Sequence, residues 1–357
     1  MILFGRILRW TALLGAALLA LGPAHAFALP SQAEVELSNF DKRLENIHPS
    51  AASAMDHRTA LANLRGRLPE ARVDFDELIG SPKWISSPHG FLTGPDGHGG
   101  GISARSLAEF STDDPYHVTK AFLKEHSELF GHGPEALAGA RVKREFVSAH
   151  NGLRTVVWEQ QVDGIPVFEA LLISHLTRNG ELVNVASHFL PAPEQAAHAG
   201  ANDRAALQSN ALLTAPQAIL LAGQAIGETL TASQVIPLAT APGADLHQTF
   251  KAAPFKRSID AHLVWLPMNR NSLRLCWEII LTSRGRNEMF RLLIDARTGD
   301  ALIRQSLTER FADASYRVFT MESPAPLMPG LSNPATTQPP QVNRVLVVTN
   351  ALDAVAS

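Results

Sequence analysis

Histidine, carboxylate and cysteine are the side chains that could do chemistry here, and their spacing decides which reactions are open. A catalytic zinc site takes three protein ligands, commonly two His one helical turn apart with a Glu as base. No His-Glu-x-x-His occurs, and the fourteen His are scattered. His126 and His132 straddle a predicted helix end, His89 and His98 sit in a Gly-rich stretch, and His117 and His175 stand alone. Solvated or structural roles are expected for all six. Asp113 with Asp114 and Asp74 with Asp76 read as caps and turn residues before they read as an acid/base couple. No Gly-x-Ser-x-Gly elbow is present. The single cysteine, Cys276, alternates with Leu275 and Trp277 in a strand-like run, which argues for a packed thiol and against a nucleophile. The expectation is no catalytic residue, no metal ligand and no cofactor in this chain.

A sequence without a reaction centre has to be read through its elements. Its 357 residues allow two or three modest domains, and a formal net charge of −3 gives no concentrated basic surface for nucleic acid. Arg6 and Arg9, the apolar run Trp10 to Leu21, and Ala24 and Ala26 around His25 form a secretory signal pattern with cleavage after Ala26. An uncleaved anchor is the alternative, but the run falls short of the ~20 residues that span a bilayer. A secreted or periplasmic location follows, with no stable membrane anchor after cleavage. With one cysteine no intrachain disulfide can form, so stability rests on packing.

The most informative stretch runs from Trp158 to Ala170. Asp163-Gly164 tolerates positive φ and predicts a tight reversal, with Pro166 at the start of the next strand. Asn179-Gly180 predicts a second turn, and Leu182 to Leu190 a third strand, making a three-stranded meander. Upstream, Leu61, Leu64 and Leu68 mark a short helix over Ala54 to Leu68. Ser86 to Ser103 concentrates Gly and Pro and predicts an exposed loop without the Walker pattern. Asp114-Pro115 opens a helix running to about Phe130, closed by Gly131, and Val142 to Val147 predicts a strand. A spacer rich in Ala and Pro covers Pro191 to about Asn210.

The same order then recurs. Ala215-Pro216 opens a helix to about Ile226, and strands follow at Leu263 to Leu266, Leu273 to Thr282, Glu288 to Asp295 and Ala301 to Leu307. Leu273, Leu275, Trp277, Ile279 and Leu281 alternate strictly and mark one buried face. Trp158-Glu159 precedes Gly180 by the same interval that Trp277-Glu278 precedes Gly299. Beyond Arg310 the stretch Glu322 to Gln341 carries six prolines and predicts an extended arm. Val345 to Val348 then resumes as a strand, read as the beginning of another domain because nothing nearby offers it a partner.

These residues resemble a known family. Glu159 to Phe168 with Asn179 to Val183 is similar to the core of the fungalysin/thermolysin propeptide motif. Leu273 to Glu278 with Leu293 to Asp300 resembles the PepSY-like end of the pro-region of those secreted zinc metallopeptidases. The positions carrying the likeness are Gln161, Gly164, Pro166, Val167, Gly180, Trp277, Asp295 and Gly299, all structural. Tyr316 to Phe319 through the arm to Val348 resembles the start of a fungalysin-type peptidase domain. The resemblance covers roughly residues 50 to 310 and implies an α+β fold of two cystatin-like/PepSY-like modules, each a helix packed on a curved antiparallel sheet. The implied organisation is a signal peptide at 1–26, an N-terminal segment at 27–110, a propeptide module at 111–195, a PepSY-like module at 211–310, a Pro-rich linker at 311–341 and the start of a truncated peptidase domain at 342–357.

The implied function is that of a pro-region which helps an attached peptidase fold and keeps it inactive until cleavage in the linker. The partner is the peptidase catalytic domain, in cis or in trans, and zinc belongs to that missing domain alone. Two other readings stay open: a stand-alone secreted module that binds or inhibits a separate peptidase, and an enzyme whose scattered polar residues converge in space.

Overall fold

The computed structural model describes residues 37–46, 51–200, 213–308, 314–318 and 345–349. The chain divides after Leu37, and every described helix and strand belongs to the unit that begins at Ser38. The signal segment with its cleavage position at Ala26, and the arm at 319–344, lie outside the described residues.

In chain order, β1 (Phe40–Asp41) and α1 (Ala51–Arg67) precede a hairpin of β2 (Arg72–Phe75) and β3 (Pro82–Ser86). Leu64 of α1 is fully buried, while Leu61 and Leu68 pack against the same core from partly exposed positions. The Gly-rich stretch after β3 is the loop its composition predicts, with Pro88 to Phe91 and His98 to Gly100 exposed, but it is pinned by Leu92, Thr93 and Ile102, which are buried. Its glycines permit close approach: a Cβ on Gly100, at φ 60°, would fall 2.7 Å from the Leu92 carbonyl oxygen.

Four short helices follow, α2 (Ala104–Ala108), α3 (His117–Glu125), α4 (Ser127–Phe130) and α5 (Glu135–Ala138). The single helix expected from Pro115 to Phe130 is thus two, broken at His126 (φ −114°, ψ 28°). The break turns the imidazole onto the Gly-rich loop, where Nε2–H donates to the Gly101 carbonyl at 2.7 Å. Asp114 closes the preceding turn, accepting from the Tyr116 amide at 2.8 Å. Gly131 ends α4 in the left-handed region at φ 76°, as Gly at this position should.

The strands β4 (Arg141–Val147), β5 (Arg154–Val162), β6 (Ile165–Leu176) and β7 (Leu182–Ser187) pair consecutively and antiparallel. Asp163 and Gly164, at φ 53° and 76°, form the tight β5–β6 turn. Pro166 is the second residue of β6, one later than predicted, and faces Gln161. The third strand stops at Ser187 instead of Leu190 because Gln160 replaces the ladder. Its side-chain amide donates to the Leu190 carbonyl at 2.8 Å and accepts from the Leu190 amide at 2.9 Å.

The spacer expected next contains a helix, α6 (Pro193–Gly200), whose Ala196 and Ala197 are buried. It lies so close to the sheet that a Cβ on Gly200 would meet the Leu273 carbonyl oxygen at 1.6 Å, so only glycine fits there. Helix α7 (Ala215–Ala225) follows, started by a Thr214–Gln217 capping box. Then come β8 (Ile236–Thr240), β9 (Gln248–Lys251), β10 (Ile259–Asn269), β11 (Ser272–Thr282), β12 (Met289–Asp295) and β13 (Ala301–Ser306). The strands β8 and β9 were not predicted, and β10 is longer than its predicted Leu263 to Leu266.

Finally β14 (Ala314–Val318) and β15 (Val345–Thr349) pair antiparallel, Tyr316 opposite Val347. The strand read as partnerless therefore has a partner, and β14 falls inside the expected linker. A strand's unpaired amides and carbonyls are costly, and here they are met across the whole Pro-rich arm.

Among the described residues one sheet of 13 strands runs β1-β13-β12-β11-β10-β6-β7-β3-β2, with β5 and β4 joined to β6, and β9 and β8 joined to β10. The architecture is α+β, with a large, mostly antiparallel sheet and few helices. Its seam is a single parallel bridge, Val167 of β6 to Trp265 of β10. Helices α1, α3, α4 and α5 and strands β5 to β7 enclose a core that includes Leu64, Phe122, Phe130, Trp158, Leu172 and Phe189.

Candidate partner-binding face

The residues carrying the family resemblance fall into two groups. Around the seam, Gln161 and Pro166 form one of the last two pairs before the Asp163-Gly164 turn, and Val167 is buried against β10. The Trp265 indole N–H donates to the Val162 carbonyl at 3.3 Å and ties the two sides of the seam. Gly180, at φ 72°, lies against the Gly-rich loop, where its Cβ would meet the Asp96 Cα at 3.0 Å. The Asp96 amide donates to Asn179 at 2.8 Å.

The second group surrounds α7. The Trp277 indole donates to the Leu213 carbonyl at 2.8 Å. The buried Asp295 carboxylate accepts from the amides of Arg297 at 2.8 Å and Thr298 at 2.9 Å, shaping a turn that Gly299 completes at φ 80°. All eight residues pack or turn the chain, and the structure does not bring them together into one site.

A site does form where no local signal pointed. Side chains alternate along β6, so Leu172, Ser174 and Leu176 face the helices while Leu171 and Ile173 face the other side. On that helix-free side lies a groove of about 530 Å³, floored by Leu171, Ile173, Ala186 and Phe168 and rimmed by Lys83, Glu77, Glu169 and Arg43. Two guanidinium groups lie over the Phe168 ring, Arg43 at 5.8 Å and Arg291 at 5.6 Å from its centroid. Next to it Glu169 adopts φ 57°, left-handed backbone that a non-glycine residue keeps only where its surroundings hold it. Its carboxylate lies 3.6 Å from Arg291.

At the far end, Asp76 accepts from the amides of Leu78 at 2.8 Å and Ile79 at 2.9 Å, as a turn residue would, and its second oxygen meets His188 Nδ1 at 3.1 Å. Burial alone would raise the Asp76 carboxyl. The His188 hydrogen bond and the two amides outweigh it and hold the group below its ordinary value.

Buried charge elsewhere is paired. Glu159, 5 % exposed, meets Arg141 and Lys143 at 2.5 Å each. Burial pushes its carboxyl up, and the two cations more than reverse this. The Cys276 thiol is fully buried, and that burial, with Asp295 beside it, pushes it well above the ordinary thiol range. His126 and His132 are buried, each with a ring nitrogen on a backbone carbonyl, and desolvation keeps both below the ordinary histidine value. Among the described residues no group of three or more His, Cys, Asp or Glu could hold a metal ion. No described helix is long and apolar enough to cross a membrane. The groove combines an apolar floor with a charged rim, the surface chemistry of a binding face.

The groove gathers residues from Arg43 to Pro267, so no window of sequence displays it. Phe168, Glu169, Ala186 and His188 lie within the predicted meander and Asp76 reads as a turn residue, but nothing in the sequence joins them to Arg43 or Pro267.

Compared with known families, residues 138–189 match the model described as Fungalysin/Thermolysin Propeptide Motif. The match spans β4 to β7 with both predicted turns and includes the Glu159 to Phe168 and Asn179 to Val183 segments on which the motif's resemblance rests. No curated protein matches. Among solved structures, the chain is similar to the "Bacillus megaterium YpeB C-terminal domain" at 13 % identity, with 67 % of this chain and 77 % of that one covered and a TM-score of 0.23. Residues 138–189 thus carry a propeptide motif of the fungalysin/thermolysin type, a class of segment that is not itself catalytic.

Proposed function

We propose that this chain acts as the pro-region of a secreted zinc metallopeptidase, assisting its folding and holding it inactive until cleavage. The observation that carries this reading is the propeptide motif over 138–189, which contains the strands whose outer face floors the groove. The likeness between β4–β7 and β10–β13, each with a Trp-Glu pair at the same distance from a turn glycine, supports two copies of a helix-on-sheet module, the second PepSY-like. A binder that prefers the native client over the unfolded one stabilises it by mass action, and a preformed sheet can template slow non-local packing. Inhibition follows if part of the pro-region occupies the substrate cleft, and proteolysis between Ser323 and Arg344 relieves it. The peptidase supplies the zinc, and export by the N-terminal signal places both outside the cytoplasm.

The test is an inhibition constant, measured with the purified chain lacking its first 26 residues against an active thermolysin-like peptidase. Inhibition at or below about 1 μM is expected, and no effect at that concentration overturns the reading. Limited proteolysis is expected to cut first in the arm, and a first cut within Trp158 to Leu190 counts against it.

A further inference from the structure

Strand β4 is an open edge. Among the described residues it pairs with β5 alone, and all seven of its residues are exposed. Val142 is 41 %, Phe146 38 % and Val147 62 % exposed. An exposed edge of that length, with three apolar side chains among its charges, is ordinarily covered or interrupted, because its free amides and carbonyls can template another strand. The other fully exposed outer strand, β8, carries such an interruption in Pro237, which has no amide hydrogen to donate. Strand β4 has none.

Its pairing with β5 sorts its side chains. Val142 lies opposite Trp158, Glu145 opposite Val156 and Val147 opposite Arg154. Trp158 and Val156 belong to the helix-side core, so Val142, Glu145 and Val147 share that side. Arg141, Arg144 and Phe146 take the other side, with Lys143 as the extra residue of a bulge. Lys143 and Arg141 reach Glu159 from half-exposed positions, and the Arg144 guanidinium covers the Phe146 ring at 4.7 Å. Four cations, Arg141, Lys143, Arg144 and Arg154, surround two carboxylates, Glu145 and Glu159, leaving a positive edge.

We infer that the β4 edge accepts an extended segment of a partner protein as an added strand, one in which acidic residues alternate with apolar ones. The backbone ladder supplies the hold, the acidic side chains face Arg141 and Arg144, and the apolar ones cover Val142 and Val147. This deepens the partner-binding reading and rests on it only for the partner's identity.

Binding of an end-blocked, fluorescent peptide of alternating Glu and Val to the mature full-length chain, read by anisotropy, tests it. The peptide is expected to bind, to weaken about tenfold with Arg144→Glu, and to lose binding when its backbone is N-methylated, with a Lys/Val peptide inert. Arg144 is exposed, and circular dichroism confirms that the variant folds. Equal binding of the N-methylated or Lys/Val peptide overturns the inference, as does no binding at about 1 mM. Self-association relieved by Arg144→Glu in sedimentation also overturns it, since a second copy would then hold the edge. A chain that inhibits a peptidase yet ignores the peptide fails here alone. One that takes the peptide but leaves the peptidase active fails the proposed function alone.

Discussion

The stretches β4–β7 and β10–β13 both place a Trp-Glu pair in their second strand and bury the glutamate, but they neutralise it differently. Glu159 lies opposite Arg141 and Glu278 opposite His262. In the first stretch both cations come from the edge strand and stay half in water, Arg141 at 57 % and Lys143 at 49 % side-chain exposure. In the second, Glu278 meets His262 Nε2 at 3.3 Å and Arg291 Nε at 3.0 Å. The Arg291 N–H points off line, so its contact with Glu278 is an ion pair without a hydrogen bond. Arg291 also covers Phe168 and reaches Glu169, which joins the second stretch to the groove. Both carboxylates are buried, but one is held by cations that stay largely in water and the other by groups that are mostly covered, and the solvent access of these partners makes the difference.

Tryptophan truncation should give the largest effects and the least contrast. Trp158→Ala and Trp277→Ala each remove a fully buried indole and are expected to cost about 3–5 kcal/mol in urea unfolding. A Trp277→Ala variant as stable as the parent would show that β10–β13 is not a packed counterpart of β4–β7. The glutamates should separate the two stretches. Glu278→Gln leaves the partly buried Arg291 with the exposed Glu169 as its remaining carboxylate partner and is expected to cost about 1–2 kcal/mol. Glu159→Gln lets Arg141 and Lys143 turn to water and should cost less than about 1 kcal/mol. Equal costs would break the comparison.

The turn glycines sharpen it further. Gly180→Ala is expected to cost about 2 kcal/mol, since its Cβ meets the Asp96 backbone at positive φ. Gly299→Ala should cost about 1 kcal/mol, because the nearest atom is the Leu221 Cδ1 methyl, which can move.

The smallest expected effect is a difference in acid response. Shifted histidines and carboxyls cluster at residues 76–159, in the first stretch and the helices over it. His126 and His132, kept low by burial, disfavour the charged form in the fold. Their contribution is full above about pH 6.5 and declines as pH falls below it through their folded values. The carboxyls of Asp76, Glu125 and Glu159 are raised by burial but lowered further by their hydrogen bonds and cations. Their contribution is full above the ordinary carboxylate values and is lost as pH drops through the folded ones. Amide protection, corrected for the intrinsic exchange rate at each pH, should therefore fall in β5 to β7 before β10 to β13, first as the histidines charge below about pH 6.5 and then as the carboxyls protonate below about pH 4. Simultaneous loosening of both would remove the distinction.

Local sequence determined what local physics controls. Asp163-Gly164 and Asn179-Gly180 are turns because few residues tolerate positive φ cheaply, and Leu273 to Leu281 is a strand because its apolar residues recur with a strand's period. The propeptide motif rests on the same short-range signals, so it too was legible, in Glu159 to Phe168 and Asn179 to Val183. Tertiary structure decided the rest. The Gly-rich loop is anchored by Leu92 and Ile102 because glycine allows the close approach of its backbone, the helix breaks at His126 where Gly101 offers its ring a carbonyl, and β15 pairs with β14 across the arm. The seam at Val167 and Trp265 and the groove beside it bring together residues as distant as Arg43 and Pro267. Periodicity and turn chemistry act within a few residues, whereas which strand lies beside which is set by burying surfaces that meet only once the chain has folded.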